Sequence, residues 1–60
     1  MAGLSPALRL NLSLIRSGLS NKEIAAKRGV SLFTVKTQNI ALYRALGVRN
    51  RTQAAMTGAT

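Results

Sequence analysis

This 60-residue sequence contains no cysteine, no histidine and one acidic side chain, Glu23. Without cysteine, neither a disulfide nor a zinc–thiolate staple can form. With one carboxylate and no imidazole, there is no donor set for a metal and no carboxylate pair for acid–base work. A nucleophile with a base beside it is equally hard to assemble. The chain therefore reads as a non-enzyme that uses no metal and no cofactor. No run of residues is long and apolar enough to cross a membrane. A chain of this length makes one small domain, residues 1–60, which buries only about 60% of its unfolded surface and is marginal on its own.

What the sequence has in excess is positive charge. Nine Lys and Arg against Glu23 give a net charge of +8, which points to a polyanionic partner, nucleic acid first. The first twenty residues contain Arg and Ser and no acid, which also fits a mitochondrial transit peptide. A secretory core is interrupted by Arg9, Asn11, Ser13 and Arg16.

Caps divide the chain into helices. Residues 1–3 read as a ragged start. Ser5-Pro6 is a helix start, with Ser at the N-cap and Pro at the first helical position. The following residues, Leu8 to Leu14, alternate apolar and polar, as a strand would. A helix instead gathers Leu8, Leu12 and Ile15 on one face, with Leu14 at its edge and Asn11 near the core side, and leaves Leu10 outside. No second strand-like run is present to pair with a strand. Residues 17–19 link to the next helix, with Leu19 packing as a staple before the cap. Ser20 and Glu23 form a capping box. Lys27, Arg28 and Gly29 give the order expected at a helix end: cations, then glycine.

The turn at residues 29–31 is expected to bury Val30, and Ser31 then caps a second helix that runs to Leu46-Gly47. Two capped helices joined by a short glycine-containing turn are a helix-turn-helix signature, here over about 21–40. Val48 is expected to plug back into the core. Asn50 caps a last short helix, with Gln53 echoing the capping box and Ala54, Ala55 and Met56 as its apolar side. Residues 58–60 are expected to fray. The predicted fold is all-α, with helices at about 6–17, 21–28, 32–46 and 51–57.

In a helix-turn-helix the second helix enters the DNA major groove. Helical phase puts Leu32, Val35, Asn39, Leu42 and Leu46 on its core side, with Asn39 the polar exception. Phe33, Lys36, Thr37, Ile40, Ala41 and Arg44 take the other side. Base reading falls to Lys36, which can donate to guanine O6 and N7, to Thr37, and to Ile40 against a thymine methyl. Phosphate holding falls to Ser20, Asn21 and Lys22 at the start of the first motif helix, to Ser31 and Thr34 at the start of the second, and to Arg44, Arg49 and Arg51 at its far end. For Ser20, Ser31 and Asn50, capping alone is an equally good account. Phe33 is the oddest residue on this face; it can pack on sugar or methyl groups, or against the turn.

Gly18-Leu19-Ser20-Asn21-Lys22-Glu23-Ile24-Ala25, Val30-Ser31, Thr34-Val35-Lys36-Thr37 and the run Leu46-Gly47-Val48-Arg49-Asn50-Arg51-Thr52-Gln53-Ala54 resemble the DNA-binding domain of LuxR-type (FixJ- or NarL-type) bacterial transcription regulators. The resemblance runs ungapped over about residues 4–55 and places residues 4–18 in register with the family's first helix. With the Ser5-Pro6 cap, that favours helix over strand there, and the register disfavours the transit-peptide reading. It implies sequence-specific binding of double-stranded DNA, with the positions of Lys36, Thr37 and Ile40 used for base contact. It also implies dimerisation through the fourth helix, here Thr52, Ala55 and Met56. That modest surface predicts a monomer in free solution that pairs on DNA. An upstream receiver or ligand-binding domain, contact with RNA polymerase, and a cytoplasmic, nucleoid-associated bacterial setting are implied as well.

The sequence departs from the family in several places. Acidic residues are usual at Leu8 and Leu10, an aliphatic at Asn11 and a polar residue at Phe33. His is frequent at Gln38, Asn at Ala41 and Lys at Ala45. Three other readings stay open: a sigma-factor promoter-reading domain, a basic protein-interaction module anchored by Leu10 and Phe33, and a basic membrane-surface peptide. Internal turns and repeated caps disfavour the last, because interfacial helices are usually long and uninterrupted.

Overall fold

The computed structural model describes residues 3–57. Four helices follow one another: α1 (Pro6–Arg16), α2 (Asn21–Arg28), α3 (Leu32–Leu46) and α4 (Arg51–Met56). The fold is all-α, as expected, with no strand among the described residues. Helices α1 and α4 each stop one residue short of the expected ends, because Ser17 and Thr57 are caps. The Ser17 N–H donates to the Ser13 carbonyl and the Gly18 N–H to the Ile15 carbonyl, and Thr57 is already extended, at φ −89° and ψ 149°. The expected fraying of residues 58–60, and Met1 and Ala2 of the expected ragged start, lie outside the described residues. Among the described residues, no helix is long and apolar enough to cross a membrane.

Helix α1 begins where its cap dictates: Ser5 Oγ accepts from the Leu8 N–H at 3.2 Å, with Pro6 next. Its alternating sequence becomes helical because it packs on three other helices and has no strand partner. Leu12, Leu14 and Ile15 are buried and Leu10 is 46% exposed. Leu14, expected at the edge, belongs to the core. So does Leu4, which precedes the helix and tucks under it; its role was not visible in the helical pattern, which starts after it.

The junction of the four helices is closed by Ile24, Val35, Leu42 and Ala54, all fully shielded from solvent. Burial of an aliphatic side chain such as Ile24 or Leu42 contributes about 1.5–3 kcal/mol. The turn between α2 and α3 depends on Gly29, at φ +69°, a left-handed conformation that side chains other than glycine rarely adopt. This reversal lets the Val30 N–H reach the Ala25 carbonyl at 3.1 Å and sends the chain into the Ser31 cap. Gly47 ends α3 in the same way, with Val48 N–H donating to the Tyr43 carbonyl at 3.0 Å.

Some expectations shift at the ends of elements. Val30 and Leu46 are half-buried. Leu32, expected in the core, is 38% exposed. It is the first residue of α3, and a helical side chain leans toward the N-terminus, so it projects past the end of the packed face. Met56, expected on the apolar side of α4, is 76% exposed, because α4 ends there and its buried contact is carried by Ala54. Gln53 does reach back, as expected of a capping box, but to the N–H of Arg49 at 2.8 Å, one residue before the Asn50 cap. Asn50 Oδ1 itself accepts from the Gln53 N–H at 2.9 Å.

Candidate nucleic-acid interface

The interface follows from the two faces of α3. Val35, Asn39 and Leu42 face inward and are buried. Phe33, Lys36, Thr37, Ile40, Ala41 and Arg44, assigned by phase to the opposite side, are all exposed. A helix that presents a lysine, a hydroxyl and apolar groups along one open face has the chemistry to read base edges in a groove.

The starts of α2 and α3 are each held by a serine cap. Ser20 Oγ accepts from the Glu23 N–H at 3.1 Å, and Glu23 Oε1 accepts from the Ser20 N–H at 2.8 Å. That backbone bond, then the Ser20 hydroxyl, hold the Glu23 carboxyl below its ordinary range, and the Arg51 charge pushes it in the same direction. Ser31 Oγ accepts from the Thr34 N–H at 3.0 Å and donates to Thr34 Oγ1 at 2.9 Å. The half-buried Thr34 then keeps its own O–H uncommitted to Ser31. Lys22, Arg44 and Arg49 are exposed.

Two residues expected at the phosphates are engaged elsewhere. The Arg51 guanidinium is half-buried and donates through Nη2 to the Leu19 carbonyl, tying α4 to the link before α2. Asn21 is half-buried, and its Oδ1 accepts from Asn39 Nδ2 at 2.8 Å. Of the residues expected in dimer contact, Thr52 and Met56 are exposed, while Ala55 packs partly against the core.

Asn21 is one end of a polar network that sequence reasoning missed. Arg28 Nη1 donates to Asn11 Oδ1 at 2.6 Å and to Gln38 Oε1 at 2.5 Å. Asn11 Nδ2 donates to Gln38 Oε1 and to Asn39 Oδ1, each at 3.2 Å. Asn11 is fully buried and Asn39 nearly so, so an unpaired amide at either site would be costly. The network crosses α1, α2 and α3 and fixes the back of α3 against its neighbours. Its signal in the sequence was a pair of oddities: a polar residue on the core side of α1 and another on the core side of α3. Each needed a partner, and they partner each other.

Comparison with known proteins identifies this arrangement. The family described as "Bacterial regulatory proteins, luxR family" matches residues 3–57. The chain belongs to the LuxR family. Among curated proteins, the chain is 46% identical over 56 residues to the "Putative HTH-type transcriptional regulator YhjB" of Escherichia coli (strain K12). That match covers 93% of this chain and 28% of the relative, so the chain spans under a third of that protein's length. No solved structure matches the chain significantly.

Proposed function

We propose that residues 1–60 are a single sequence-specific DNA-binding domain of a bacterial transcription regulator, with its helix-turn-helix at about 21–40. The observation that carries this reading is the open face of α3 on a strongly cationic LuxR-family chain. Helix α3 enters the major groove of double-stranded DNA. Lys36 donates to guanine, Thr37 offers a hydroxyl and a methyl, and Ile40 meets an apolar base edge. Ser20, Lys22, Thr34, Arg44 and Arg49 hold phosphates on either side, while Ser31, whose O–H is given to Thr34, serves as the α3 cap. Asn21 and Arg51 serve first as packing ties, for the hydrogen bonds described above. The domain is monomeric when free and pairs on DNA through Thr52, Met56 and the edge of Ala55. The half-sites then lie about one helical turn apart. An upstream receiver or ligand-binding domain supplies the signal, and RNA polymerase is the downstream partner. The greater length of the E. coli relative leaves room for such a domain in a parent protein. The setting is the bacterial cytoplasm, at the nucleoid.

The test is selection of binding sites from random duplex DNA at two salt concentrations. An enriched motif, two-fold with half-sites a turn apart, supports sequence-specific regulation. Salt-sensitive binding without any motif overturns it and leaves a general polyanion binder.

A further inference from the structure

The open face of α3 carries two apolar side chains that neither phosphate nor guanine contact explains. Phe33 is 77% exposed and Ile40 56%. Single exposed apolar residues are ordinary, but these two are aligned. Seven residues apart on an α-helix, they lie within about 20° of one line, with Lys36 on one flank and Thr37 on the other. Their separation along the axis is about 10 Å, close to three base-pair steps at about 3.4 Å each. The apolar group that a base pair presents in the major groove is the C5 methyl of thymine.

We propose that Phe33 and Ile40 read thymine C5 methyl groups. The half-site then carries two methyl-bearing bases about three base-pair steps apart, on either strand, with the guanine for Lys36 between them. Phe33 is the second residue of α3 and Ile40 lies two turns further in. Phe33 falls in the N-terminal turn, the part that reaches base edges in helix-turn-helix proteins, and Ile40, the ninth of fifteen residues, at mid-helix on the same open face. Covering one methyl removes about one methylene equivalent of apolar surface from water, which corresponds to about four-fold in affinity. This inference rests on the proposal that α3 enters the major groove.

The experiment replaces each thymine of the selected site, one at a time, by deoxyuridine, which pairs identically with adenine and lacks only the methyl. Binding is measured for the intact chain and for Phe33→Ala and Ile40→Ala. Both side chains are exposed, so the variants are expected to keep the fold, and thermal melting checks this. Two thymines about three steps apart are expected to show a loss of about four-fold each on replacement. Phe33→Ala should abolish the sensitivity at one and Ile40→Ala at the other. A clear motif in which no thymine is sensitive to loss of its methyl sinks the inference and leaves the recognition reading intact. Sensitivity that persists in both alanine variants removes the assignment to these two residues. Absence of any motif defeats the recognition reading and the inference with it.

Discussion

Lys36 and Lys22 carry the same charge, and only their places separate their roles. Lys36 stands on the open face of α3, where a base edge can lie; Lys22 stands at the start of α2, beside the Ser20 cap. Lys36→Ala is expected to weaken binding at a cognate site by about 1–3 kcal/mol and to relax the preference for its base. Lys22→Ala should weaken all sequences alike and shrink the salt slope by about one. Binding titrations on cognate and scrambled duplexes decide: equal loss on both for Lys36→Ala demotes it to a phosphate contact, and a changed preference for Lys22→Ala reverses the two assignments. Asn11 acts on stability instead. Its removal takes one of two acceptors from the Arg28 guanidinium, which keeps Gln38, and leaves the buried Asn39 Oδ1 without its donor, so Asn11→Ala is expected to cost about 1–3 kcal/mol in urea unfolding. Because Arg28 and Asn11 share one network, Asn11→Ala with Arg28→Ala should cost less than the two singly added. Strict additivity would mean that the bond between them contributes nothing. The oddity of Asn11 was legible from helical phase, and so was that of Asn39. Their pairing was not, since it depends on how α1 crosses α3. The inward turn of Arg51 was hidden for the same reason: a charge in the sequence does not say which way it points.

Helices were the most legible level, because each is marked by chemistry at its ends. Ser5, Ser20, Ser31 and Asn50 all accept a backbone N–H three residues on, and glycines close α2 and α3. Phase then placed all six outward residues of α3 correctly. It failed at Leu32 and Met56 because phase gives the angle around an axis and not the position along it, and at an element's end no neighbour remains to cover the side chain. The α2 cap also sets the acid response. Glu23 is the sole acidic side chain, and its bonds to Ser20 lower its folded pKa below the ordinary value near 4.5. The unfolded chain therefore takes up the proton first as pH falls, and the cap's contribution is complete above the unfolded pKa and lost as pH drops through the folded one. Thermal unfolding from pH 7 to pH 2 should show a plateau followed by a decline in the acid range. In Glu23→Gln the amide still accepts a bond but no longer titrates, so stability should start lower at neutral pH and lack that decline. If both proteins decline alike, the acid sensitivity lies outside the α2 cap.

The whole molecule has a charge problem that salt can expose. A net charge of +8 sits on a body with a Cα radius of gyration of 10.3 Å. The Debye length at 0.1 M salt is about 10 Å, so opposite sides of the fold repel one another in dilute buffer and are screened from each other above it. Self-repulsion of this kind destabilises the compact state. Raising salt should therefore raise the Tm, by about 4–8 °C for each 1 kcal/mol of repulsion removed; a fall would mean that attractive ionic contacts dominate. DNA binding should respond with the opposite sign, because each cation on a phosphate releases a counterion when the complex forms. With Lys22, Arg44 and Arg49 on phosphates, one copy gives a slope of log affinity against log salt of about −3, and two copies on one duplex about −5. The slope thus counts the copies engaged. Measured on a half-site and on a full two-fold site, it should nearly double if the domain pairs on DNA as proposed. An unchanged slope on the full site would show that a single copy binds, and the small surface of Thr52, Met56 and Ala55 would then have no part in recognition.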